Sequence, residues 1–350
     1  MTGFKEKTQP FTERPESLQN DSSNVCGYGF TPPPKDVIEK RNLRYTGNMI
    51  GFVVVISFGL MQIMPGTLQA IAGSFVEGSI RSNAFAVQLL NMCSYLLCLL
   101  TPFLLYAVLM KFPLRTGIHY RKPDFGVAVP AMLIGLGVSM VGTTFSSMLS
   151  GIFSWFRLVP ITPNFSTPTG FDASTVLYII NIAILPALVE ELIFRGIIMQ
   201  TLRKFGDGFA LLVSSVVFAV MHRNLVQGPN AFLMGLVIGY FVMYTGSIWT
   251  GVLMHFINNG LTVAITLLML VLDPRTATIV ENVIYLLYIV AGVLAALYLA
   301  RRYKNMFTLR RSKTELGERQ KCRTLFLTFG MLLAGVMTIV LTAGYFQRLS

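Results

Sequence analysis

The 350-residue chain is 53% hydrophobic and only 13% charged, with a mean hydropathy of +0.63 and a formal net charge of +12. A soluble domain carries about 25% charged residues. The deficit and the long apolar runs exclude a soluble globular fold and point to an all-α polytopic membrane protein.

Residues 1–46 are polar and charged, contain TPPP at 31–34, and do not read as a signal peptide. They predict a flexible tail with a short helix at 35–44. Apolar spans follow at 48–73, 84–110, 126–153, 174–202, 208–222, 229–245, 247–271, 277–300 and 324–346. The first eight form a core over 47–300. The fifth and sixth are short for a crossing of about 20 residues. A basic linker over 301–323 precedes the ninth span, which stands apart from the core. Residues 154–173 form a loop with three prolines.

The segments 1–47, 111–125, 203–207 and 301–323 hold 22 of the 28 Lys and Arg, and the opposite side holds five. By the positive-inside rule the N-terminus is expected on the cytoplasmic side, and the expected location is a bacterial plasma membrane. The basic loops then face anionic lipid, so the charge is a membrane signal and does not predict nucleic-acid binding. Cys26, Cys93, Cys98 and Cys322 form no CxxC pair and read as free thiols.

The fourth span carries the main anomaly, Glu190 and Glu191 in succession, with Arg195 one turn later. A carboxylate at mid-bilayer costs roughly 2.5–3.5 kcal/mol on insertion scales. Glu191 and Arg195 stand four apart, in the favoured order for a helical ion pair, while Glu190 points about 100° away. Pro186 precedes Glu190 by four residues and frees a carbonyl one turn back. In the sixth span Gly235 and Gly239 form a GxxxG that permits close helix packing.

Of three histidines, His119 lies in a basic loop, whereas His222 ends the fifth span and His255 lies in the seventh. Phe218 shares a helix face with His222, and Asn259 shares one with His255. At 1.5 Å per residue, Glu190, His222 and His255 lie roughly 20, 21 and 12 Å from the basic side. Tilt can bring them into one site. A carboxylate there suits general acid–base work on a water, and His255 with Asn259 suits stabilisation of an oxyanion. Glu190, His222 and His255 are also a candidate set for a divalent metal such as zinc, although HExxH spacing is absent.

EELIFR at 190–195, FAVMH at 218–222 and HFINN at 255–259 together resemble the CAAX prenyl endopeptidase and Abi family of intramembrane proteases, whose pattern is EExxxR, FxxxH and HxxxN on three helices. The ordered motifs fall within 174–270. The resemblance implies an eight-helix-type membrane core with a cavity open toward the cytoplasm. It implies that Glu190 is catalytic, that Glu191 and Arg195 support it, that His222 assists, and that His255 with Asn259 binds the oxyanion. Members have been described both as glutamate-dependent and as metalloproteases.

The expected function is hydrolysis of a peptide bond in a membrane-associated peptide or protein by a glutamate-activated water. The alternative is a non-proteolytic immunity or regulatory protein that binds a membrane partner. A solute transporter is a third reading, disfavoured because no inverted repeat is visible.

Overall fold

The computed structural model describes residues 33–75, 83–161, 167–168, 170–304, 306–309 and 314–348. Cys26 and most of the expected N-terminal tail lie outside these. The described chain is an all-α membrane protein with one pair of three-residue strands.

Helix α1, Lys35–Gly73, begins where a short helix was expected at the end of the tail and runs on without a break into the first span. Its first turns carry Lys35, Lys40, Arg41 and Arg44, a polar extension of an apolar helix. Next come α2 (Ala84–Leu109), α3 (Phe125–Trp155), α4 (Ala173–Phe205), α5 (Asp207–Met221), α6 (Gly228–Thr245), α7 (Ile248–Leu268) and α8 (Pro274–Arg302). The chain ends in α9 (Glu318–Phe326) and α10 (Phe329–Ala343).

Seven of these helices are long and apolar enough to cross a membrane. The expected fifth span is only the 15-residue α5, about 22 Å long and short of a hydrocarbon layer about 30 Å thick. The expected ninth span is not one helix. The chain turns by 72° between α9 and α10, where the Thr328 hydroxyl donates to Leu325 O at 2.8 Å. Helix α10 then packs along α1, with Gly330 N donating to Asn48 Oδ1 at 2.9 Å.

Loops assigned to one side by charge meet one another. The Ser247 hydroxyl donates to Arg121 O, and Ile248 N donates to His119 O at 3.0 Å. Lys321 Nζ donates to Phe205 O at 2.7 Å. At the opposite end, β1 (Leu158–Pro160) pairs antiparallel with β2 (Phe346–Arg348). One member of the basic linker departs from its expected role at the lipid surface. Lys321 is fully buried, bonded to Phe205 O, Thr314 and Glu318, and its ammonium lies 5.5 Å from the Phe209 ring centre.

Helix α4 positions the acidic pair. Asp172 caps its start, accepting from the Ser174 and Thr175 backbone N–H groups in a reciprocal capping box. The Ser174 hydroxyl foremost, and then those backbone donors, hold the Asp172 carboxyl below the usual carboxylate range. Two stretches of α4, Ile180–Ile184 and Glu191–Ile198, are wound as π-helix. Such segments re-aim side chains and recur at functional sites.

Candidate active site

The Glu191 side chain is fully buried, and Arg195 lies one turn away at 1% exposure. Arg195 Nη1 donates to Glu191 Oε1 at 2.9 Å, the ion pair expected from their spacing. Arg195 Nη2 reaches the Gly235 carbonyl at 3.4 Å, and the guanidinium lies 4.4 Å over the Phe218 ring. Gly235 and Gly239 also fulfil the close-packing expectation, since a Cβ on either would press on Ser215 or Leu211 of α5.

His255 joins both glutamates. Its Nδ1 lies 2.9 Å from Glu191 Oε1, and its Nε2 lies 3.8 Å from Glu190 Oε2. Nδ1–H therefore donates to Glu191, and that bond turns Nε2 toward Glu190. The shallow depth reckoned for His255 is overcome by helix packing. Room for this contact comes from Gly251, one turn earlier on α7. A Cβ there would sit 2.8 Å from Glu191 Oε2 and 2.6 Å from Val242 Cγ2.

Glu190 is the more open of the two carboxylates, with its side chain 14% exposed against 0% for Glu191. Its Oε1 accepts from the Tyr95 hydroxyl at 2.8 Å. Tyr95 belongs to α2, and the motifs gave no sign of it. A tyrosine in an apolar span was the one available signal, because a buried phenol needs a polar partner.

Phe218 is the hub of the site. Besides Arg195 it touches Phe194, His222 and His255, with ring centres at 5.1, 5.1 and 6.0 Å. His222 Nδ1–H donates to Phe218 O at 3.0 Å, which fixes the ring and leaves Nε2 without a hydrogen-bond partner among the described residues.

Asn259 sits one turn beyond His255. Its Nδ2 donates to Ile182 O at 3.0 Å, and its Oδ1 accepts from Asn258 at 3.1 Å. Ile182 O is the carbonyl whose i+4 donor would be residue 186, and Pro186 has no N–H. Asn259 supplies this carbonyl with a side-chain donor, and its amide keeps one further N–H.

The residues do not fit the metal alternative. Among the described residues no three His, Cys, Asp or Glu side chains converge to hold an ion. Glu190 Oε1 is engaged by Tyr95, and His255 Nδ1 by Glu191. The geometry is that of an acid–histidine network: a buried carboxylate orients an imidazole, and the imidazole faces a second, more open carboxylate.

Fold and network together define a helical membrane protein with a polar acid–histidine site among its central helices. Residues 172–261, which contain all three motifs, match the family described as Rce1-like, type II CAAX prenyl endopeptidase. The chain is similar to the putative membrane peptidase YdiL of Bacillus subtilis (strain 168), at 26% identity over 185 residues, which covers 52% of this chain and 73% of that protein. It is also similar to the membrane-embedded CAAX protease MroQ of Staphylococcus aureus (strain USA300), at 25% identity over 200 residues, 54% of this chain and 78% of that protein. No solved structure matches the chain. These likenesses agree with the three motifs and support the resemblance to the CAAX prenyl endopeptidase and Abi family.

Proposed function

We propose that the protein is an intramembrane endopeptidase that cleaves a peptide bond of a membrane-associated peptide or protein with a water activated by Glu190. The observation that carries this reading is the contrast within the acidic pair. Glu191 is fully buried and bonded to both Arg195 and His255, whereas Glu190 keeps an accessible carboxylate facing His255 Nε2.

Glu190 takes a proton from water as the water oxygen bonds to the scissile carbonyl carbon. The electron pair displaced onto the carbonyl oxygen is met by N–H donors, His255 Nε2–H in its doubly protonated form and the remaining Asn259 amide N–H. The C–N bond then breaks, and Glu190 returns the proton to the leaving amine. Neutral His222, with Nδ1–H bonded to Phe218 O, offers the Nε2 lone pair to hold the water. With both carboxylates ionised and Arg195 charged, the second ring proton on His255 makes the cluster neutral, which suits a site at membrane depth.

In the same proposal the face bearing residues 111–125, 203–207 and 301–323 is cytoplasmic, and its exposed Lys and Arg rest on anionic lipid of a bacterial plasma membrane. The test is mass spectrometry of the membrane peptidome in cells carrying wild type or Glu190→Gln, followed by cleavage of the candidate peptides with purified protein. Peptides that persist uncut only in Glu190→Gln support the reading. Full activity of Glu190→Gln overturns it. Rescue of a deletion strain by that inactive variant would favour the non-proteolytic partner role.

A further inference from the structure

Directly after His222 the chain takes a left-handed turn at Arg223, whose φ is 54°. Only a few per cent of non-glycine residues adopt that conformation. It turns the two neighbouring side chains apart. His222 packs edge-on against Phe218 of its own helix, whereas Arg223 reaches back to α1, with its guanidinium 5.9 Å from the Phe58 ring centre. Arg223 also lies within electrostatic reach of Cys98 on α2, one turn from the Tyr95 that holds Glu190.

The turn lies deep. Helix α5 starts at Asp207, paired with Arg203 at 2.9 Å on the basic side, and its 15 residues advance about 22 Å. Residues 222–227 therefore fall inside a hydrocarbon layer about 30 Å thick. The turn meets its own polar needs through Asn224. That side chain donates to His222 O and Gln227 Oε1 and accepts from Gln227 N, each at 2.8 Å. Arg223 takes no part in this network. Its Nε is buried and has no hydrogen-bond partner, and no carboxylate pairs with it among the described residues. The Phe58 ring face offsets part of the charge but supplies no acceptor in the Nε plane.

An arginine at membrane depth is ordinarily paired, and its planar donors match a carboxylate. Here the charge and a buried donor are present, the acceptor is missing, and the residue adjoins the water-holding histidine. We propose that Arg223 receives a carboxylate of the substrate, either the chain-terminal group or an acidic side chain, and so sets the register of the peptide against Glu190. An extended chain advances about 3.3 Å per residue, so an anchor next to the water-holding histidine places the cleaved bond within a few residues of that carboxylate. The inference rests on the peptidase reading for its purpose but not for its test.

The probe is an N-dansyl hexapeptide pool of randomised aliphatic residues. It is made with a free carboxylate or a carboxamide end, and with a single internal Asp or Asn. Binding is measured on the Glu190→Gln protein in nanodiscs, with and without Arg223→Gln or Arg223→Lys. At least tenfold tighter binding of one carboxylate form over its amide is expected. That ratio should fall to near 1 in Arg223→Gln and be partly restored in Arg223→Lys. The arm that shows the preference identifies the source of the carboxylate. Equal binding of acids and amides, no measurable binding, or a preference that survives Arg223→Gln overturns the proposal. A preference that depends on Arg223 in a protein whose wild type cleaves no peptide would instead overturn the peptidase reading and leave the carboxylate site standing.

Discussion

The Tyr95 hydroxyl donates to Glu190 Oε1 at 2.8 Å, joining α2 to the acidic pair of α4. The bond fixes which oxygen of Glu190 faces His255 and which is free to take a proton. Tyr95→Phe keeps the ring and removes only the donor. A hydrogen bond to a charged group contributes about 1.5–3 kcal/mol, so kcat/KM should fall 10- to 100-fold, mostly in kcat. An unchanged kcat would leave Tyr95 without a positioning role.

Arg195 and Glu191 form a buried pair in which each charge depends on the other. Arg195→Met leaves Glu191 buried without its cation, and breaking such pairs costs about 3–5 kcal/mol. Replacing both, as Glu191→Leu with Arg195→Met, removes the stranded charge and should restore most of the thermal stability in detergent. Activity should not return with it, because His255 loses the carboxylate that orients its ring. A double variant that is both stable and active would show that Glu191 serves folding alone.

The legible part of the site was what helix periodicity encodes. Glu191 with Arg195, Phe218 with His222, and the membrane location of both histidines all followed from residue spacing, and the structure keeps these relations. What spacing cannot report is contact between distant helices. Tyr95 is 95 residues from Glu190 and sits in a run of Leu, Cys and Ser with no periodic mark. Gly251 is defined by what would collide with it, which is a property of α4 and α6 as much as of α7. Hydropathy read 324–346 as one span because the turn between α9 and α10 is made of Leu327 and Thr328, which a window average does not separate from a helix. Counting charge by side put Lys321 at the lipid surface, since the count carries no information on burial.

Asn259 and Pro186 are coupled through Ile182 O, so a double-mutant cycle separates holding from catalysis. Asn259→Ala strands the Ile182 carbonyl, and a buried unsatisfied group costs about 1–3 kcal/mol. Pro186→Ala supplies a backbone N–H at the i+4 position. In that background the stability cost of Asn259→Ala should shrink by at least half, as read from thermal unfolding of the purified proteins. If the amide serves only to hold α4, activity should recover together with stability. If its second N–H also meets the oxyanion, activity stays low in the stable double variant. A cost that is identical in both backgrounds would disprove the coupling.

Gly251 is where the backbone of α7 approaches the buried carboxylate most closely. An alanine methyl there would lie 2.8 Å from Glu191 Oε2 and 2.6 Å from Val242 Cγ2, closer than non-bonded atoms tolerate. Glu191 cannot simply yield, because its other oxygen is bonded to both Arg195 and His255. The strain should therefore pass to the His255 ring and pull Nε2 away from Glu190. Overpacking of this kind costs about 1–3 kcal/mol, but the greater effect should fall on turnover, where a misplacement of 1 Å can cost about 100-fold. Gly251→Ala should thus fold and lose most of its activity. Val242→Ala, which opens the other side of the same contact, should restore thermal stability more than turnover, because the methyl still presses on Glu191. Wild-type turnover in Gly251→Ala would mean that α7 shifts freely, and that the approach of His255 to the two glutamates does not limit the reaction.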